Sequence, residues 1–195
     1  MNERRAELRR KTRETEIVAR VDLDGAGEAE IRTGIGFLDH LLASLVLHAG
    51  IDLSLVCRGD LEVDDHHSVE DCALALGAVM DQALGERRGF ARYGAAHAPL
   101  DEALARAVVD LSGRPCAVVE LGLRRESIGG LSTENIAHFV RSFATALRAS
   151  IHLDVLRGEN DHHRAEAAFK ALALALRAAL ARTADERAPS TKGVL

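Results

Sequence analysis

The strongest constraint on what this chain can fold into is an internal repeat. Val21-Asp22-Leu23-Asp24-Gly25 returns as Val109-Asp110-Leu111-Ser112-Gly113, 88 positions on. Asp39-His40-Leu41-Leu42-Ala43-Ser44-Leu45 returns 98 positions on as Ala137-His138-Phe139-Val140-Arg141-Ser142-Phe143, and Ile51-Asp52-Leu53 is answered by Ile151-His152-Leu153. Asp65-His66-His67-Ser68-Val69-Glu70 returns as Asp161-His162-His163-Arg164-Ala165-Glu166, 96 positions on. Four landmarks in one order, with small changes of spacing, define two halves of similar fold, about residues 15–90 and 100–183, made by duplication. At 195 residues the chain has the size of one large domain or of two small ones fused without a linker, and we assign residues 1–195 to a single domain that contains the repeat.

Each half follows one coarse plan. In the first, Ile17, Ala19, Val21 and Leu23 alternate with polar positions as a period-two strand. Turn residues 24–27 lead to a second strand at 29–33, read as a hairpin, followed by a helix over 37–49 and a strand over 51–56. From Ser68, the apolar residues Val69, Cys72, Leu76, Val79 and Ala83 step by 3, 4, 3 and 4, the stripe of an amphipathic helix that Gly85 is placed to stop. The second half repeats this with strands at 105–111 and 116–121 across a 112–115 turn, a helix over 133–149, a strand over 151–156 and a last helix marked by Phe169, Leu172, Leu176 and Leu180. The fold class is α+β, with each half a four-stranded type of sheet carrying two helices on one face. The Ala- and Leu-rich stretch 167–180 is apolar on more than one side, which hints at an oligomer.

Composition removes several classes of function. Hydrophobic residues make up 47%, enough for a real core, which with no Trp, one Tyr and five Phe must be aliphatic. With 25 basic against 30 acidic side chains and a net charge of -5, nucleic acid is not an expected partner. No stretch approaches the roughly 20 apolar residues that cross a bilayer, and the charged N-terminal segment does not read as a secretory or transit signal, so a cytoplasmic protein is expected. Cys57, Cys72 and Cys116, odd in number and in apolar settings, read as buried free thiols of a reducing compartment.

Chemistry is concentrated in the histidines. Six of the nine, His40, His66, His67, His138, His162 and His163, sit at repeat-related positions. The pattern His-His-x-x-Glu occurs twice, closed by Glu70 and Glu166. At the start of a helix the first His and the Glu stand at i and i+4, the second His and the Glu at i and i+3, so all can face a common region. Adjacent histidines diverge by about 100° around the axis, so a pair suits two neighbouring ions, or two sides of an interface, better than one ion. Six imidazoles and two carboxylates make three His and one Glu for each of two metals, which leaves open positions on an octahedral ion. Mixed nitrogen and oxygen ligation without thiolate suits Mn, Fe, Zn or Ni, and open positions mark a catalytic site. His48, His97 and His152 lack this support and read as structural or as outer partners of the ligands.

Three other patterns carry less. Asp22-Leu23-Asp24-Gly25 resembles the start of an aspartate-nucleophile phosphatase motif, but Ala26-Gly27 follows, and a turn is the better reading. The glycines of Thr33-Gly34-Ile35-Gly36-Phe37 let the chain turn tightly before the helix bearing His40. Pro189-Ser190-Thr191-Lys192-Gly193 is small, polar and cationic; a solvated tail is its ordinary reading and a phosphate contact the alternative. Arg92 and Arg114, in turn positions, are either surface arginines or further fork-shaped phosphate donors.

Together Thr33 to His40, Asp64 to Asp71, Asp110 to Pro115, Asn160 to Glu166 and Pro189 to Gly193 resemble the imidazoleglycerol-phosphate dehydratase family of histidine biosynthesis, from about Arg9 to Leu195. The resemblance implies a monofunctional enzyme, without the extra phosphatase domain of some members. It also implies a duplicated fold similar to domain 2 of ribosomal protein S5, a 24-subunit shell with active sites at subunit interfaces, and two Mn²⁺ per site. The family's metal ligands fall on His40, His66, His67, Glu70, His138, His162, His163 and Glu166, the set already counted. Its substrate-binding positions fall on Glu14, Arg92, Arg114, Ser190 and Lys192. Ser68 stands where Thr is usual, Ser150 where the family more often has Thr-Leu-His nearby, and residues 124–131 match least.

The expected reaction removes water from imidazole glycerol phosphate to give imidazole acetol phosphate. Its C–H is not acidic, so the resemblance implies metals on the ring nitrogens, an imidazolate that expels hydroxide to a diazafulvene, and a carboxylate base. Glu14 is the candidate base, with Glu70 and Glu166 as metal ligands able to shuttle a proton. Two alternatives stand beside this: another dinuclear metal hydrolase, and a non-enzymatic metal-binding shell protein.

Overall fold

The computed structural model of the chain describes residues 3–185, 187, 188, 190 and 193. Pro189, Thr191 and Lys192 of the C-terminal motif lie outside the described residues.

The first half runs β1 (Arg5–Lys11), β2 (Thr15–Asp22), β3 (Ala29–Arg32), α1 (Gly36–Ala49), β4 (Asp52–Gly59) and α2 (His66–Leu84). The second runs β5 (Tyr93–Leu100), β6 (Ala103–Asp110), β7 (Cys116–Glu120), a small β8–β9 pair (Ser127–Ile128 and Leu131–Ser132), α3 (Thr133–Leu147), β10 (Ser150–Arg157) and α4 (Asp161–Leu180). Strand order is β1-β2-β4-β3 in one sheet and β5-β6-β10-β7 in the other, the same topology twice.

Sheet pairing corrects one expectation. Residues 24–27 and 112–115 do not close hairpins: β4 lies between β2 and β3, antiparallel to the first and parallel to the second, and β10 lies likewise between β6 and β7. The hairpins are instead β1–β2 and β5–β6. The 24–27 turn arches over the start of β4, where Asp52 Oδ1 accepts the backbone N–H of Ala26, Gly27 and Glu28 at 2.7, 3.0 and 2.9 Å. A Cβ on Gly25 would lie 2.3 Å from the Asp52 side chain, which is why glycine stands there.

Along β2, Thr15, Ile17, Ala19 and Val21 point inward, as Ala103, Ala105, Ala107 and Val109 do along β6. The inner faces meet a layer of four helices: α2 packs on β1, β2 and β4 and against α3, while α4 packs on β5, β6 and β10 and against α1. One continuous aliphatic core results, with Phe90, Phe139, Phe143 and Phe169 as its large fully buried rings. The Ala-rich side of α4 is consumed within the chain, by β5, β6 and α1, so its apolar breadth needs no oligomer to explain it. No helix among the described residues is long and apolar enough to cross a membrane. Cys57 and Cys72 are buried as expected, whereas Cys116 is exposed at the start of β7, where alternation turns it to the outer face.

Candidate metal centre

Four helix starts carry the histidines, and local polar contacts fix each start. Thr33 donates its N–H and Oγ1 to Asp39 Oδ1 at 2.8 and 2.6 Å, holding the first turn of α1 and with it His40. Asp64 Oδ1 accepts the N–H of His66, and Asn160 Oδ1 caps α4 by accepting the N–H of His162, both at 2.9 Å. Helix α2 therefore begins at His66 and α4 at Asp161, earlier than the hydrophobic stripes alone predict. Asp65 reaches across to the second half, accepting from Ser132 N and Oγ at 2.7 and 2.8 Å just before α3, which bears His138. Its repeat partner Asp161 accepts the N–H groups of Arg124 and Arg125, both at 2.7 Å, which holds residues 124 and 125 beside the start of α4.

Two equivalent trios result. His40 from α1 meets His162 and Glu166 from α4, and His138 from α3 meets His66 and Glu70 from α2; in each, the ligand atoms lie within 4.8 Å of one another. Glu166 Oε2 lies 3.1 Å from His40 Nε2 and 3.3 Å from His162 Nε2. Glu70 presents Oε2 to His66 Nε2 at 3.9 Å and Oε1 to His138 Nε2 at 3.5 Å. Donors at right angles around an ion with bonds of about 2.1 Å stand about 3 Å apart, so both trios are near coordinating size. His138 Nε2 is buried with no hydrogen-bond partner, and in its unprotonated form it carries a lone pair that a metal ion would satisfy. Imidazole with carboxylate is the donor set that divalent first-row metals take.

His67 and His163 are not brought into the trios of their own chain. Their rings stand at 79° and 89° to those of His66 and His162. His67 Nδ1 lies 3.0 Å from Asp60 Oδ2, and its Nε2 is 3.7 Å from Glu14 Oε1. His163 Nδ1 lies 2.8 Å from Glu102 Oε2, and its Nε2 is 3.8 Å from Asp101 Oδ2. Hydrogen bonds donated to the Asp60 and Glu102 carboxylates raise the two imidazole pKa values above the ordinary one.

Sequence reasoning missed the groups that orient the ligands. Asn135 Oδ1 lies 3.1 Å from His66 Nδ1, and Lys170 Nζ lies 2.7 Å from Glu166 Oε1. Burial pushes the Glu166 carboxyl up, but Lys170 and His40 outweigh it and hold it down at about 2. Glu102 is held at about 2 by the Asn160 amide, the His163 ring and the Glu159 amide. A signal for Glu102 existed, since the 88-residue offset of the first landmark carries Glu14 onto it. Asp60 gave no such signal.

The remaining predicted residues lie apart from the trios. Glu14 sits on the β1–β2 turn, held through its N–H to Thr12 Oγ1 at 3.1 Å, beside His67. Arg92 is buried and forks onto Asp110, Nε to Oδ1 at 2.7 Å and Nη2 to Oδ2 at 3.1 Å. Arg114 is exposed on the turn before β7, and Ser190 is half-buried with its carbonyl accepting the N–H of Gly193. His97 and His152 project from the outer face of the second sheet, and His48 stands in the last turn of α1.

A twice-built α+β frame that gathers two imidazoles and a carboxylate at two equivalent places is the class of protein that could hold a metal ion at each, by mixed nitrogen and oxygen ligation. Residues 33–176 match the family profile described as imidazoleglycerol-phosphate dehydratase. The dehydratase of Candida glabrata is 54% identical over 96% of this chain and 98% of its own length, and that of Torulaspora delbrueckii is 50% identical over the whole of both. A dehydratase of Phytophthora nicotianae is 55% identical over 98% of this chain, which spans only 42% of that longer protein. Among solved structures, the Staphylococcus aureus dehydratase superposes with a TM-score of 0.83 at 35% identity, covering 92% of this chain and 99% of the other. The Pyrococcus furiosus enzyme, solved in complex with (S)-C348, gives 0.83 at 37% identity over 96% and 100%. The chain belongs to the imidazoleglycerol-phosphate dehydratase family.

Proposed function

We propose that this chain is a cytoplasmic enzyme of histidine biosynthesis. As a carbon–oxygen lyase it dehydrates imidazole glycerol phosphate to imidazole acetol phosphate. The observation that carries this reading is the pair of matched trios, His40/His162/Glu166 and His66/Glu70/His138. The whole chain is one dehydratase domain, duplicated over about residues 15–90 and 100–183, and β1 and β5 extend each repeat at its N-terminal side.

Two Mn²⁺ per active site fit these residues; bound, they supply Lewis acidity and a template for the imidazole ring. Each chain offers three ligands per ion, with His67 and His163 outside the trios on the same helices. A neighbouring copy's His67 or His163 would bring each ion to three imidazoles and one carboxylate, which favours a homo-oligomer, in the family's form a 24-subunit shell. Glu14 travels with His67, since their side chains lie 3.7 Å apart, so the interface that completes a trio also delivers a carboxylate to it.

Glu14 is assigned as the base that takes the proton from the carbon next to the departing hydroxyl. Glu70 and Glu166 hold metal and can relay a proton. Arg92, Arg114, Ser190 and Lys192 are assigned to the substrate phosphate, fixing the glycerol chain relative to the ring. Arg92 is held in place by Asp110, which accepts from its Nε and Nη2.

The test is to assay metal-stripped protein with imidazole glycerol phosphate, return Mn²⁺, and compare wild type with His66→Ala and Glu14→Gln. Mn-dependent product from wild type, lost in both variants while only His66→Ala loses metal, is the expected result. Folded, fully metallated wild type that forms no product would sink the proposal.

A further inference from the structure

The two trios are alike in ligands and unlike in what stands behind their carboxylates. Glu166 shares its carboxylate: Oε2 faces His40 and His162, while Oε1 is taken by the ammonium of Lys170 at 2.7 Å, one helical turn on. Glu70 gives both oxygens to its histidines, Oε2 to His66 and Oε1 to His138. The 96-residue offset that carries Glu70 onto Glu166 carries Leu74 onto Lys170, so the duplicated helix has an alkyl side chain where its twin has a cation. Lys170 keeps its place because its side chain, like that of Glu166, is mostly covered, at 22% and 12% exposed.

We infer that Lys170 makes the two metal positions unequal, so that the ion at His40/His162/Glu166 is held more weakly than the ion at His66/Glu70/His138. Two effects act in the same direction. The ammonium occupies one carboxylate oxygen, which leaves Glu166 a one-oxygen ligand. Its charge also opposes a second cation across the same carboxylate, at a depth where water screens poorly. This rests on the two-metal reading above, in which His67 and His163 supply one further imidazole to each ion and so do not distinguish the positions. Lys170 is a positioning residue here: it acts on the metal through Glu166.

The experiment titrates Mn²⁺ into metal-stripped full-length protein and reads free Mn²⁺ by electron paramagnetic resonance, so the readout is metal per chain rather than turnover. Wild type should bind one ion per chain tightly and a second roughly tenfold or more weakly, a gap of about 1.4 kcal/mol for each factor of ten. Lys170→Met should tighten the weak class until the two merge, and Lys170→Arg, which keeps the charge, should preserve the split. Leu74→Lys should weaken the tight class in turn. His138→Ala should delete the tight class and His40→Ala the weak one, which assigns each step to its trio. Two ions bound as a single class in wild type, or a split that Lys170→Met leaves unchanged, overturns the inference while leaving the dinuclear reading intact. Fewer than two ions per chain at saturation overturns the dinuclear reading itself.

Discussion

Asn135 Oδ1, on the buried side of α3, lies 3.1 Å from His66 Nδ1, at the start of α2. An amide oxygen can only accept, so the ring carries its proton on Nδ1 and its Nε2 lone pair faces the space shared with Glu70 and His138. Because α3 also supplies His138, one helix both contributes a ligand and orients another.

Replacing Asn135 with Leu removes the acceptor and leaves the ring free to rotate. Loss of such an outer partner typically costs about 10–100-fold in metal affinity. Asn135→Leu should show that loss at the His66/Glu70/His138 trio, read as Mn²⁺ per chain at fixed free Mn²⁺, with the other trio unaffected. Unchanged loading would mean the amide does not orient the ring.

The termini of the fold are clasped by one carboxylate. Asp24 accepts from Arg4 Nε at 3.1 Å and from Arg182 Nε at 3.0 Å, while Arg4 Nη1 also reaches the Leu180 carbonyl at 2.7 Å. Arg4 and Arg182, acting against burial, hold the Asp24 carboxyl below the usual carboxylate range. A depressed acid stabilises the fold above its unfolded pKa of about 3.9, and that contribution fades as pH falls below it toward the lower folded value. With the Asp24 side chain 33% exposed, a charge-assisted contribution of about 1 kcal/mol is expected after screening. Urea unfolding should therefore find Asp24→Asn less stable by about that amount at pH 7, with the gap closing below about pH 4. A gap that persists unchanged to pH 2 contradicts this.

Close approach of β5 to α4 sets the spacing of the second half. A Cβ on Gly94 would lie 1.9 Å from the Ala175 carbonyl oxygen, a backbone atom that cannot swing away. Gly94→Ala should cost about 3 kcal/mol in urea unfolding as the strand is pushed off the helix. Gly36→Ala, where a Cβ meets nothing within 4 Å, is the control and should be near neutral. Equal effects of the two would dismiss the packing explanation.

How much of this was legible in the sequence depends on the range of the interactions involved. The histidines and glutamates were legible because duplication printed them twice, at helical spacing. Strand β1 was not: Arg5, Glu7, Arg9 and Lys11 cover its outer side, and Ala6, Leu8 and Arg10 are only half-buried on its inner side, so no apolar alternation stands out. Strand β5 hides behind Gly94 and Pro99, residues that an edge strand tolerates. The insertion of β4 between β2 and β3 is a pairing of distant segments, and a glycine-bearing turn after β2 looks locally like a hairpin. Asn135, Lys170 and Asp60 act through contacts that no local pattern encodes.

The most direct test of the metal-centre claim is an anomalous-difference map from crystals of the Mn²⁺-loaded protein, collected at the manganese edge. The account predicts two peaks per chain. One should lie among His40, His162 and Glu166, the other among His66, Glu70 and His138, each completed by a neighbouring copy's His67 or His163. Active, manganese-loaded protein with peaks elsewhere, or with no peak at either trio, would contradict it.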